Sequence, residues 1–94
     1  MCQFIIDRVD ADTLQQATRL TAVVSGTCDH GGEVYMRVLW NNGQLGAESA
    51  FVQVGKEFRH VPVIQTAHDH TDRLEGVQVT LRCKATTVKE NYAL

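Results

Sequence analysis

Between positions 76 and 86 the chain alternates residue by residue. Val77, Val79, Leu81, Cys83 and Ala85 are apolar or small, and Gln78, Thr80, Arg82 and Lys84 between them are polar. Successive side chains of a strand point to opposite sides, so this pattern describes a strand with one buried face. The same parity recurs twice upstream. Leu20, Ala22 and Val24 share a side with Cys28, and Val34, Met36, Val38 and Trp40 fill every even position of 33–40. Strands with one apolar side cannot bury it singly, so the pattern demands sheets packed face to face. Trp40 lies twelve positions after Cys28 and Cys83 fifty-five after it, and all three fall on the apolar side.

The rest of the chain reads as further strands and turns. Residues 2–9 alternate with Cys2, Phe4 and Ile6 on one side. Residues 10–17 are polar and read as a loop or one helical turn capped by Asp12. Asp29-His30-Gly31-Gly32 and Asn41-Asn42-Gly43-Gln44 are turn signals, because glycine and Asn-Gly tolerate positive φ. Segments 48–54 and 57–64 read as a hairpin joined at Gly55-Lys56. In that register Phe51 opposes His60 and Gln53 opposes Phe58, so Phe51, Phe58 and His60 share one face. Ala50, Val52, Val54, Val61 and Val63 take the other, which is assigned to the core. Pro62 cannot donate to a ladder and marks an edge strand or a strand end. The polar stretch 65–75 reads as a long loop, and 87–94 as a tail anchored by Tyr92 and Leu94. The expectation is an all-β fold of six or seven antiparallel strands in a single domain spanning 1–94.

Composition narrows the function classes. Ninety-four residues suffice for one core and no second. A formal charge of −2, with nine Lys and Arg scattered along the chain, offers no field to attract nucleic acid or an anionic membrane. No apolar run is long enough for a membrane helix, so no membrane insertion is expected. The opening residues lack the basic start, apolar stretch and cleavage site of a signal peptide. An intracellular or virion-associated setting with reduced thiols follows as the expectation.

At Cys28, Trp40 and Cys83 the chain resembles immunoglobulin-like and fibronectin-type sandwiches, in which a buried Trp packs beside an inter-sheet cysteine pair. The resemblance runs from about Leu20 to Ala85. Leu81 stands where antibody-type domains carry a corner Tyr, so the looser fibronectin-type modules fit better. The resemblance implies an immunoglobulin-like sandwich of six or seven antiparallel strands, in a class of modules that bind or build. It also raises a Cys28–Cys83 disulfide, which inward parity on both strands permits. The alternative is two free thiols acting as small core hydrophobes, which the missing secretion signal favours. Cys2 reads as a third, semi-exposed thiol with no partner.

Candidate chemistry falls in three places. His30, His68 and His70 form the alternative, metal-binding reading, with His68-Asp69-His70 as a two-ligand arm and Asp29-His30 beside it. Cys28 with His30 is the one conceivable nucleophile–base pair. No catalytic or nucleotide-binding motif accompanies it, so no enzyme and no cofactor are expected. The third place is an apolar presence on the side away from the core: Tyr35, Leu39, Phe51 and Phe58. An exposed aromatic and aliphatic patch marks a partner surface. The functional expectation is therefore a non-catalytic structural or binding module. It would dock onto a larger protein assembly or self-assemble as a homo-oligomer, and a virion decoration or tail component is one concrete form.

Overall fold

The computed structural model describes residues 2–67 and 73–94. Among them alternation becomes nine strand segments and no helix: β1 (Gln3–Thr13), β2 (Ala17–Thr27), β3 (Gly32–Trp40), β4 (Leu45–Glu48), β5 (Val52–Val54), β6 (Glu57–His60), β7 (Val63–Ala67), β8 (Leu74–Cys83) and β9 (Thr87–Ala93). They form two antiparallel sheets. In the first, β2 is central, with β1 along one edge and β6 and β7 in turn along the other. In the second, the order is β4-β3-β8-β9, with β5 also pairing to β3.

Two pairs of short segments are interrupted strands. Pro62 separates β6 from β7; it has no N–H to give, but its carbonyl accepts from Ala22 N at 3.1 Å and keeps the line on β2. Ser49 separates β4 from β5. Its N–H donates to the Met36 carbonyl at 2.7 Å, and its Oγ accepts from Met36 N at 2.8 Å, which accounts for a buried serine. Counting each interrupted pair as one line leaves seven strand positions, three in the first sheet and four in the second.

The core lies between the sheets, and in β2, β3 and β8 it is built from the side that the sequence parity marks. Phe4, Leu20, Ala22, Val24 and Ile64 come from the first sheet; Val34, Met36, Val38, Trp40, Val77, Val79 and Leu81 come from the second. Cys28 is buried as well. The Asn41–Gln44 turn forms as its residues require: Gly43 adopts φ 83° and the Asn42 side chain accepts from Gln44 N at 2.9 Å.

Four local expectations need correction. Residues 10–13 are neither a loop nor a helical turn: β1 runs to Thr13 and pairs with β2 down to Thr18. A bulge at Asp7, held by Ser25 Oγ donating to its carboxylate at 2.9 Å, shifts the register. Inward parity then passes from Phe4 and Ile6 to Val9, which hides the second half of the strand from a period-two reading. Segments 48–54 and 57–64 do not form a hairpin, because Gly55-Lys56 carries the chain from the second sheet to the first. Cys28 N donates to the Lys56 carbonyl at 2.8 Å, fixing that crossing. Once β6 pairs with β2, the even residues Phe58, Pro62 and Ile64 turn inward, while Val61 and Val63 are nearly half exposed. Finally, 87–93 is a strand along β8, with Tyr92 packed against the core. In the segment expected as a 65–75 loop, residues 65–67 belong to β7 and 74–75 to β8, 68–72 lying outside the described residues.

Candidate functional site

Residues directly paired across a sheet share a face, so the register of β3 places two groups of apolar side chains on the outer face of the second sheet. Leu39 pairs with Leu45 of β4, and Tyr35, two pleats along, pairs with Thr80 of β8. Between them Arg37 makes an ion pair with Glu48. Phe51, just before β5, lays its ring on Tyr35 with centroids 4.5 Å apart and planes tilted by 52°. Arg82, on the same face of β8, sets its guanidinium 5.7 Å from the Tyr35 ring centre and 5.8 Å from that of Phe51. This is cation–π distance.

The four residues expected to form one exposed patch therefore separate. Phe51 is 48% exposed. Tyr35 faces outward but is only 7% exposed, because Phe51 and Arg82 roof it. Leu39 is half-buried on the same face. Phe58 is not on this face at all: it packs inward from the first sheet against Phe4 and Gly26. The hairpin register put Phe51 and Phe58 together, and the crossing at Gly55-Lys56 parts them. Arg82, which completes the cluster, carried no signal beyond its outward parity on β8.

A second feature lies at one end of the two sheets. Cys2, ahead of β1, is disulfide-bonded to Cys83 at the end of β8, with Cα atoms 6.6 Å apart. The pairing considered from sequence, Cys28 with Cys83, does not occur, and Cys2 does have a partner. Cys28 remains a free, buried thiol. It donates its S–H to the Gly31 carbonyl at 2.9 Å, and its sulfur lies 4.0 Å from that of Cys2. The inward parity of Cys28 and Cys83 was legible; that the first strand delivers Cys2 to the same spot was not.

The two described histidines, His30 and His60, lie on different elements. His68 and His70 lie outside the described residues. His30 is exposed on the turn after Cys28, and the Cys28 thiol points to a backbone carbonyl and not to the His30 ring. His60 on β6 is half-buried, and burial holds its pKa below the ordinary value of 6.5. Among the described residues the group with metal-ligand spacing consists of Cys2, Cys28 and Cys83.

An open apolar depression of about 680 Å³ crosses the first sheet from β1 over β2 to β6, at the end where β1 begins, between Ile5, Phe58 and Arg59. No helix of the described residues is long and apolar enough to cross a membrane. No protein-family model matches the chain, and comparisons with curated proteins and with solved structures return no match.

Proposed function

We propose that the chain is a non-catalytic structural module of the immunoglobulin-like, fibronectin-type class, which docks in repeated copies within a protein assembly. The fold reading is supported by strand order. Numbering the seven strand positions along the chain, the sheets read 1-2-5 and 4-3-6-7. Immunoglobulin constant-type domains place the first, second, fifth and fourth strands on one sheet and the third, sixth and seventh on the other. The present order differs from that by the transfer of the fourth strand alone.

The docking reading rests on one observation: the half-exposed Phe51 ring, stacked on Tyr35 and capped by Arg82 on the outer face of the second sheet. Aromatic and arginine side chains are the groups most enriched at protein interfaces. Leu45, also exposed, extends the apolar character along the same sheet edge toward Leu39. A virion decoration or tail component is one form such a module takes. The test is sedimentation velocity of the chain and of Phe51→Ser over a range of concentrations. A mass above the 10.5 kDa of one chain, lowered by Phe51→Ser without loss of the β-sheet circular dichroism, supports assembly through this face. A chain that stays monomeric at the highest concentration contradicts it.

A further inference from the structure

We propose that reduction of the Cys2–Cys83 bridge creates a three-thiolate site for one Zn2+ ion, built by Cys2, Cys28 and Cys83. The ligand sulfurs of all three lie within 4.8 Å of one another. Around tetrahedral zinc with Zn–S bonds near 2.3 Å, ligand sulfurs stand roughly 3.8 Å apart. Cys28 and Cys2 are already at 4.0 Å. Once the covalent bond to Cys2 is removed, Cys83 needs only to relax outward to the same spacing.

The donors come from three places in the chain that the fold holds together. Cys2 leads into β1, Cys28 follows β2, and Cys83 ends β8, so the site joins the two sheets. Close approach at this end depends on Gly32: a Cβ there would lie 2.5 Å from the Arg82 carbonyl and 3.1 Å from the Cys28 sulfur. Soft thiolates with no carboxylate among them select zinc-like ions over magnesium or calcium. Three thiolates on Zn2+ leave one net negative charge, and Arg82 and Lys84 flank Cys83. Both line a cavity of about 360 Å³ together with His30, Gly31, Gly32 and Cys83. That cavity supplies an entry path and a water for the fourth position.

The arrangement fits a cation better than thiol–disulfide exchange. In-line attack by Cys28 on Cys2 would put the leaving sulfur of Cys83 on the far side, roughly 6 Å from the attacker at ordinary bond lengths. Here Cys83 stands beside the attacking sulfur, within 4.8 Å. The balance of the step is simple. A dithiol or phosphine reductant gives two electrons to the bridge, and two protons complete the Cys2 and Cys83 thiols. Binding of Zn2+ then releases three protons, one from each thiol. The oxidised chain, with a single thiol, has no such site, so the bridge acts as a redox gate on metal binding.

The test uses the full chain, reduced with a phosphine and freed of reductant under argon. Zn2+ is titrated with metal content measured after gel filtration, and Co2+ is titrated in parallel for its thiolate-to-metal charge-transfer absorption. The expected result is one ion per chain in the reduced form, none in the oxidised form, and at least tenfold weaker binding in Cys28→Ser. The Cys28→Ser variant retains the bridge, so its oxidised form checks that folding is intact. Near-UV circular dichroism covers the case in which reduction loosens the fold: one equivalent of Zn2+ should restore the signal. A reduced chain that holds no zinc, a signal that zinc does not restore, or a Cys28→Ser chain that binds as tightly as the parent overturns the proposal. Binding without a charge-transfer band, through the histidines, overturns it equally.

Discussion

Removing the Cys2–Cys83 bridge tests how the two sheets are tied together. The bridge spans 81 positions, nearly the whole chain, and by the chain-entropy relation a loop of that size stabilises by about 4.5 kcal/mol. Against a total of roughly 5–15 kcal/mol for a domain, its loss consumes a large share of the margin. The perturbation must exclude rescue, because Cys28 lies 4.0 Å from Cys2 and within 4.8 Å of Cys83 and is placed to take over the bond. The informative comparison is therefore Cys28→Ala, which keeps the native bridge, against Cys2→Ala/Cys28→Ala, which can form none. Thermal melts of the two under oxidising conditions should differ by roughly 20 °C or more, at several degrees per kcal/mol for a chain of this length. Adding a reductant should collapse the difference. Melting points within a few degrees of each other without reductant would refute the claim that this bridge ties the sheets. So would a peptide map that finds Cys28 in the disulfide of the parent chain.

Other outcomes follow from the same contacts. Met36→Ala, at a fully buried core position, should cost about 3 kcal/mol in urea denaturation. Gly32→Ala should cost about 2 kcal/mol, because its Cβ would meet the Arg82 carbonyl at 2.5 Å and force β3 from β8. Phe51→Ser should cost only about 1 kcal/mol, since the ring is half exposed and loses chiefly its stacking on Tyr35. Burial lowers the His60 pKa in the folded chain, so the unfolded chain binds the proton more readily. Stability should be unaffected above the ordinary value of 6.5 and should fall as pH drops below it toward the folded pKa. His60→Gln should flatten that dependence in melts taken between neutral and mildly acidic pH.

What the sequence made legible was the long central strands. From Val34 to Trp40 and from Val77 to Cys83 each second residue is apolar and the pairing is antiparallel, so the parity of Trp40, Val79 and Leu81 carries into the folded core. The Asn-Gly turn was legible for the same reason: its chemistry is local. Illegible features depend on what pairs with what. The bulge at Asp7 reverses parity within β1. The dipeptide Gly55-Lys56 suits a hairpin turn and a sheet crossing equally well, and only the demand of β2 for a partner decides between them. That one choice moved Phe58 into the core and Val61 and Val63 out of it. The candidate site was half legible. Tyr35, Leu39 and Phe51 do lie on or beside one outer face, but Arg82 joins them only through the β3–β8 register. The cysteine cluster required knowing that β1 begins where β2 and β8 end, a non-local fact with no trace in the spacing of Cys2.

The central claim is that the outer face of the second sheet, built around Phe51, Tyr35 and Arg82, is an assembly surface. Sedimentation velocity on the parent chain and Phe51→Ser addresses it most directly. The expected result is a concentration-dependent mass above that of one chain for the parent, and a single-chain mass for the folded variant. A parent chain that sediments as one chain at every concentration, or a variant that assembles as fully as the parent, would contradict it.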